Sequence, residues 1–194
     1  MHSTFVFGYG SLVHHQALER FLGRTLGPSD FAIARLRGYR RAWNVARDNR
    51  LATHATRWVD ENDRPHDGTV TVLGIEKVEG AVTNGIVVRV DDESFEMLDR
   101  REVAYDRVDV TELVDVDGLR CEMVYTYVPD DEHRRLHDEG QSAALDAIAD
   151  EYVDLVAAGF ESLDMLDEYH ATTRPPDSPI LSLHRAATRE ISGY

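Results

Sequence analysis

The sequence comprises 194 residues, 42% of them hydrophobic, and carries a formal net charge of −15 at pH 7. The acidic charge excludes a typical nucleic-acid binder, which needs a basic surface, and no apolar run approaches the roughly 20 residues that span a bilayer. The single cysteine, Cys121, excludes an internal disulfide and a multi-cysteine metal site, and the lack of a basic, apolar leader before Phe5 predicts a cytoplasmic protein.

The first part of the sequence predicts strands, turns and one short helix. FVFGYGSL, residues 5–12, predicts a strand that ends in a glycine-rich turn, and the following HQALERFLG predicts a helix closed by Gly23. Residues 31–46 carry β-branched and aromatic side chains and predict a strand that bends at Gly38. Residues 48–68 are polar and turn-rich, which predicts a long loop of the kind that is often functional or mobile.

Two strands and a capped helix are predicted next. Residues 69–76 and 83–90 have the strand pattern, with an Asn-Gly pair entering the second. Asp91 or Asp92 then caps a short helix that ends around residues 100–102. The segments YDRVDVTELV and LRCEMVYTYV predict two more strands, separated by a turn.

The C-terminal part of the sequence predicts helix. From about Gly140 the apolar residues recur at spacings of three and four: Leu145, Ile148, Tyr152 and Leu155. Gly159 is the natural stop of this helix, and a shorter helical stretch follows it. We therefore expect a C-terminal helical segment over about residues 137–170 and an irregular tail over residues 171–194.

The order of these elements indicates the fold class. Strands come early and in hairpin-like sequence, and the longest helix comes late. This order favours a mixed or largely antiparallel sheet with flanking helices, an α+β fold. A doubly wound parallel sheet needs a helix between most strands, and the sequence does not supply them. The length suits a single domain over residues 1–194.

The glycine-rich turn, residues 8–13, does not match the common nucleotide or nucleophile motifs. Val13 stands where the dinucleotide fingerprint has its third glycine, and no Gly-Lys-Ser/Thr follows. Ser11 lacks the flanking glycines of a hydrolase nucleophile. His14 and His15 are adjacent on a helix, so their side chains diverge and make a poor metal pair. Two readings remain open: a simple tight turn, or a cradle of backbone N–H groups for a carboxylate or an oxyanion.

Two stretches together resemble a known family. FVFGYGSL resembles the opening strand and loop of the gamma-glutamylcyclotransferase-like proteins, and LDRREVAYDRVDV, residues 98–110, resembles their second signature. LRGYRRAWN and YVDLVAAGFESL also resemble segments of the glutathione-degrading ChaC-type branch. The likeness runs in patches from residue 5 to about residue 170.

The resemblance implies a fold and a reaction. The fold is a small, barrel-like mixed β-sheet with peripheral helices. The reaction is a lyase- or acyltransferase-type intramolecular cyclisation, in which the α-amine of a gamma-glutamyl group attacks its own γ-carbonyl and releases 5-oxoproline and an amine. Neither a metal nor an organic cofactor takes part, and the expected partner is a small gamma-glutamyl compound rather than nucleic acid or a membrane.

The resemblance also implies the site residues. Glu102 matches the motif glutamate and is the candidate general base. The substrate carboxylate or the oxyanion is expected to bind the backbone N–H groups of Tyr9, Gly10, Ser11 and Leu12. Tyr105 is expected to contact the substrate or to orient Glu102. Tyr125 and Tyr127 are two residues apart and therefore lie on one face of their strand, so either can line the pocket, and Tyr125 is the preferred candidate.

Alternatives stay open at this point. Glu102 can instead pair with Arg100 or Arg101 at the surface. Three arginines of the second strand either attract substrate carboxylates or form a solvated basic edge: Arg37, Arg40 and Arg41. The alternative functions are a non-catalytic small-metabolite-binding protein and a biosynthetic enzyme that removes a gamma-glutamyl protecting group. The sequence leaves the leaving amine and the oligomeric state open.

Overall fold

The computed structural model describes residues 3–51 and 56–187. Within them the strands are β1 (Thr4–Gly8), β2 (Phe31–Asp48), β3 (Thr56–Val59), β4 (Thr69–Val90), β5 (Tyr105–Asp109), β6 (Val114–Val116), β7 (Met123–Pro129), β8 (Asp146–Ala149), β9 (Ile180–Leu181) and β10 (His184–Ala187). The α-helices there are α1 (His15–Leu22), α2 (Asp92–Arg101), α3 (Asp131–Ser142), α4 (Asp150–Glu161) and α5 (Leu166–Thr172). None of the helices in this part of the chain is long and apolar enough to cross a bilayer.

Eight of these strands form one mixed sheet, with the order β5-β7-β1-β4-β2-β6 and with β8 and β9 branching from β4. The two longest strands, β2 and β4, pair antiparallel along nearly their whole length. On its other side β4 has two different neighbours: residues 69–71 pair with β8, and residues 86–90 pair with β1. A gap is therefore left along β4 between β8 and β1.

The sheet has an apolar cluster on each side. Strand β1 serves both clusters, because side chains alternate along a strand: Val6 belongs to one cluster, and Phe5 and Phe7 belong to the other. All three are essentially buried. With β4 antiparallel on one side and β7 parallel on the other, β1 is a central strand, and its end at Gly8 is held firmly in place.

The α+β prediction is confirmed, as are several local features. Gly23 closes α1 in the left-handed conformation, and the Asp91 carboxylate accepts a hydrogen bond from the N–H of Ser94 as the N-cap of α2. β2 bends at Gly38, where φ is +78° and the register with β4 shifts. In contrast, β4 is one continuous strand and not two, because β2 pairs with it on both sides of this shift.

Residues 140–149 and the tail differ from their predictions. Helix α3 begins earlier, at Asp131, and the apolar run around Ile148 forms strand β8, whose residues are buried beside β4. A short apolar run fits a buried strand as well as a helix. The tail contains β9 and β10. The expected loop contains β3, which pairs with β10 in a separate two-stranded sheet, while residues 52–55 lie outside the described residues.

Gly159 does not end its helix, which continues to Glu161. A Cβ atom added to Gly159 would lie 2.8 Å from the backbone N of His14 and 3.0 Å from its Cα. This glycine therefore lets α4 pack directly against the backbone that follows the glycine-rich turn.

We predict that Gly159→Ala destabilises the protein. Alanine is the better helix former by about 1 kcal/mol, but the close backbone contact should reverse that gain into a loss of about 1–3 kcal/mol. Urea unfolding measures the change. Gly27→Ala is the matched control, because the added Cβ meets only the Asp30 carboxylate at 3.5 Å. Equal stability of the two variants would contradict the packing argument.

Candidate active site

The turn after β1 folds tightly because of its two glycines. Residues Ser11–Val13 form one turn of 3-10 helix, in which the N–H of Val13 donates to the Gly10 carbonyl at 3.0 Å. A Cβ on Gly8 would lie 2.8 Å from the Cβ of Leu12, and a Cβ on Gly10 would lie 3.3 Å from the Tyr152 hydroxyl. The first glycine thus lets the turn fold back on itself, and the second lets a tyrosine approach the backbone.

The turn lies beside the gap that β4 leaves between β8 and β1. Leu73 lies in this gap, and its backbone polar groups are satisfied by tyrosines instead of by a neighbouring strand. The Tyr105 hydroxyl donates to the Leu73 carbonyl at 2.8 Å, and the Leu73 N–H hydrogen bonds the Tyr152 hydroxyl. The branching of the sheet therefore gathers Gly10, Tyr105 and Tyr152 around one stretch of β4.

A fully buried arginine holds the base of the turn. The Arg41 Nε donates to the Tyr9 carbonyl at 2.6 Å, and its Nη2 donates to the carbonyl and to the Oδ1 of Asn84. Its Nη1 donates to the Thr173 hydroxyl at 2.9 Å. Two aromatic rings cover the guanidinium, at 4.7 and 4.9 Å from their centroids: Phe160 and Tyr169. Burial lowers the pKa of Arg41 to about 10, so it stays charged at neutral pH.

Glu102 lies directly after helix α2. Asp92 and Glu93 occupy the first turn of this helix and Arg100 and Arg101 the last, which suits the helix dipole. Glu102 is the C-cap residue, and its N–H donates to the Leu98 carbonyl at 2.8 Å. The end of α2 thus directs its side chain toward the turn after β1.

The Glu102 carboxylate is only 15% exposed and lies 3.2 Å from the Nε of Arg101. Burial raises its pKa above the usual range, while the charges of Arg101, Arg47 and Arg185 act in the opposite direction. A buried carboxylate with a raised pKa is a better base than an ordinary surface glutamate.

Glu102 lies where two cavities meet. The inner cavity, of about 30 Å³, is lined by Phe7, Gly8, Tyr9, Gly10, Ser11, Leu12, Leu73, Glu102, Tyr105, Tyr127 and Tyr152. The outer cavity, of about 130 Å³, is lined by Ser11, Arg47, Asn49, Thr56, Trp58, Val70, Val72, Arg101, Glu102, Tyr105, Tyr152 and Arg185. Four residues line both cavities: Ser11, Glu102, Tyr105 and Tyr152.

The tyrosines of the inner cavity remain protonated at neutral pH. Burial raises the pKa of Tyr9 and of Tyr105 well above the usual range, and it raises the pKa of Tyr152 to about 12. The Tyr9 hydroxyl is already used, since it donates to the Tyr127 carbonyl at 2.6 Å. Because the Tyr152 hydroxyl receives the Leu73 N–H, its own proton is available to a ligand.

The structure brings most of the predicted residues together. Tyr9, Gly10, Ser11, Leu12, Glu102 and Tyr105 all line the inner cavity. Tyr125 does not, and its ring packs against Phe95 of α2 at 5.2 Å. Tyr127 takes the predicted place: it lies farther along the same strand, near the end of α2, and its hydroxyl donates to Asp99 at 2.8 Å.

Other candidate residues have structural roles. Arg37 pairs with Asp115 at 3.2 Å and Arg40 pairs with Glu76 at 2.7 Å, both as partly exposed ion pairs on the sheet. His14 caps α1 by accepting the N–H of Ala17 at 3.2 Å. Among residues 3–51 and 56–187, no three histidine, cysteine, aspartate or glutamate side chains are placed to hold a metal ion.

Among the site residues that sequence reasoning missed are Arg47, Trp58, Tyr152 and Arg185, whereas Arg101 was expected only as a surface partner of Glu102. Tyr152 does fit the helical spacing that was noted, but that spacing signals only a core-facing residue. The others come from the end of β2 and from the β3–β10 pair. No local motif connects them, so only the fold reveals their proximity.

Comparison with family models and with curated proteins gives no match. Solved structures do match. One is described as a gamma-glutamyl cyclotransferase, with 16% identity, 90% of both chains covered and a TM-score of 0.54. Another is the uncharacterized human protein loc79017, with 14% identity, 91% of both chains covered and a TM-score of 0.54. The chain is an α+β protein with a buried glutamate at a glycine-rich turn, and it has the gamma-glutamyl cyclotransferase fold.

We predict that Arg41→Met destabilises the protein by about 3–5 kcal/mol, because it leaves several buried acceptors without their donor. Arg40→Met, one residue away, should cost less than about 1 kcal/mol, since Arg40 makes a partly exposed ion pair. Denaturant unfolding of both variants measures the difference. A loss for Arg41→Met as small as that for Arg40→Met would show that the buried guanidinium does not hold the turn.

Proposed function

We propose that this protein is a gamma-glutamylcyclotransferase-type enzyme, which cyclises the gamma-glutamyl group of a small amine or peptide to 5-oxoproline and releases the amine. The observation that carries the proposal is the position of Glu102. Its buried carboxylate lies between the backbone turn of the inner cavity and the more open outer cavity. The fold that the chain shares with a gamma-glutamyl cyclotransferase supports the same reaction.

The two cavities suggest how the substrate is placed. The inner cavity of about 30 Å³ has room for roughly two water-sized groups, which suits a carboxylate or a carbonyl oxygen. The first N–H groups of a helical turn lack partners within the helix, and here they belong to the turn at Ser11 and Leu12. We assign the gamma-glutamyl end to this cavity and the leaving amine to the outer cavity.

In the proposed reaction the Glu102 carboxylate accepts a proton from the α-ammonium group of the substrate. The freed amine attacks the γ-carbonyl carbon, and the new C–N bond closes the five-membered lactam. The tetrahedral intermediate carries an oxyanion, which the turn amides and the Tyr152 hydroxyl can stabilise. The bond to the leaving nitrogen then breaks as Glu102 returns the proton to that nitrogen. The ring nitrogen, which became positively charged on attack, gives its extra proton to the regenerated Glu102 carboxylate, and the released amine takes up this proton and departs as an ammonium ion. No electrons are transferred to or from an outside group.

We predict that Glu102→Gln lowers kcat for 5-oxoproline release on the order of a hundredfold or more, because it keeps the side-chain size and removes the base. The assay uses a panel of gamma-glutamyl amino acids and peptides, including glutathione. Glu96→Gln is the matched control, since Glu96 lies on the same helix, is 75% exposed and pairs with Arg100 at 3.7 Å.

Thermal unfolding checks that the Glu102→Gln variant is folded. Burial raises the Glu102 pKa in the folded state, so ionisation of Glu102 disfavours folding at pH values above the unfolded pKa. The variant should therefore unfold at the same temperature as the wild type or at a higher one at neutral pH. Release of 5-oxoproline at equal rates by both proteins would remove Glu102 from the mechanism. If the wild type releases no 5-oxoproline from any compound of the panel, the result would instead favour a metabolite-binding protein.

A further inference from the structure

The outer cavity concentrates positive charge in an otherwise acidic protein. Three guanidinium groups line it, from Arg47 near the end of β2, Arg101 at the end of α2 and Arg185 in β10. Among the described residues of the lining, Glu102 supplies the one carboxylate. The whole chain carries a formal net charge of −15, so the outer cavity is positively charged although the protein as a whole is acidic.

One of the three arginines is already engaged. The Arg101 Nε lies 3.2 Å from the Glu102 carboxylate, and its Nη2 donates to the Ser11 hydroxyl at 3.0 Å. Its guanidinium also lies 5.0 Å from the centroid of the Phe21 ring. Arg101 therefore balances the charge of Glu102 and connects it to the turn.

The other two arginines, Arg47 and Arg185, form no close ion pair with a carboxylate in the part of the chain that the structure describes. Arg47 makes one long hydrogen bond, at 3.4 Å, to the Arg101 carbonyl. Arg185 is exposed and lies over the Trp58 ring, 4.8 Å from its centroid. The nearby Glu151 carboxylate accepts the backbone N–H of Arg185 at 2.8 Å.

We propose that the outer cavity selects gamma-glutamyl substrates whose leaving amine carries two negatively charged groups, the simplest being an acidic amino acid. This inference rests on the function proposed above. The leaving nitrogen lies at Glu102, where the cavities meet, and the two anionic groups extend to Arg47 and Arg185. A guanidinium presents paired N–H donors that match the two oxygens of a carboxylate, so each arginine suits one such group.

The charge of the leaving group is tested with three compounds of similar shape, in which the gamma-glutamyl group is linked to glutamate, to glutamine or to glutamine α-amide. These leaving groups carry two, one and no carboxylates. We expect the wild-type kcat/KM for 5-oxoproline release to fall by about tenfold or more at each step. Arg185→Gln should lower kcat/KM for the glutamate compound about tenfold more than it lowers kcat/KM for the α-amide compound, so the ratio of the two values is the readout. Arg64→Gln is the control, because Arg64 is exposed, pairs with Asp60 and lies outside the cavity.

A second measurement separates charge recognition from a structural effect. The positive charge of Arg185 lowers the Glu102 pKa, so Arg185→Gln should move the acid limb of the pH profile of kcat/KM to higher pH. Loss of folded enzyme would reduce the amplitude of that profile without moving it. An unmoved limb together with an unchanged preference for glutamate would overturn the role of Arg185.

The outcomes distinguish this inference from the proposed function. Equal kcat/KM values for the three compounds would overturn the inference and leave the cyclisation reaction in place. If kcat/KM for the glutamine compound equals that for the glutamate compound, the requirement for two negative charges is overturned. If the wild type releases no 5-oxoproline from any compound, the proposed function is wrong. Calorimetry with the three intact compounds then decides the charge preference: tighter binding of the glutamate compound supports it, and equal binding overturns it.

Discussion

The site depends on one buried positive charge. The Arg41 guanidinium has no exposed surface and, among the described residues, no carboxylate as a direct partner. Its charge is stabilised by carbonyl, amide and hydroxyl oxygens and by two aromatic faces. Burying such a charge is costly unless every donor finds an acceptor. The Tyr9 carbonyl is among those acceptors, so the position of the turn is coupled to the energy of the buried charge. If the turn moved, the guanidinium would lose this acceptor. The cost of that loss holds the backbone that lines the inner cavity in one conformation.

The branching of the sheet supplies the second constraint. Because β4 changes partner from β8 to β1, Leu73 has no neighbouring strand on the side of β4 that faces away from β2, and the hydroxyls of Tyr105 and Tyr152 satisfy its backbone there instead. Buried backbone groups need partners, so this interruption of the strand pairing holds the hydroxyls of Tyr105 and Tyr152 next to Glu102. The same feature that interrupts the sheet therefore builds the polar wall of the candidate site.

Local patterns predicted those parts of the molecule that short-range physics decides. The caps of α1 and α2, the bend at Gly38 and the meeting of Glu102 with the turn after β1 follow from capping residues, glycine conformations and the two family-like motifs. Strand β8 was predicted as helix because Leu145 and Ile148 fit a helical spacing that continues into α4, whereas the pairing of β8 with β4 is a long-range contact that no local pattern reveals. Arg47 and Arg185 escaped notice for the same reason, since they lie far apart in sequence and meet only through the fold.

The pairing of β3 with β10 has a consequence for how the protein matures. Trp58 and Arg185 are cross-strand neighbours in this two-stranded sheet, and together they form one wall of the outer cavity. During synthesis the turn, Glu102 and the tyrosines are all made before β10 leaves the ribosome. A nascent chain can therefore assemble the reacting groups while the outer wall is still missing. If the protein has the function proposed above, the wall that selects the leaving amine is therefore the last part of the site to be synthesised.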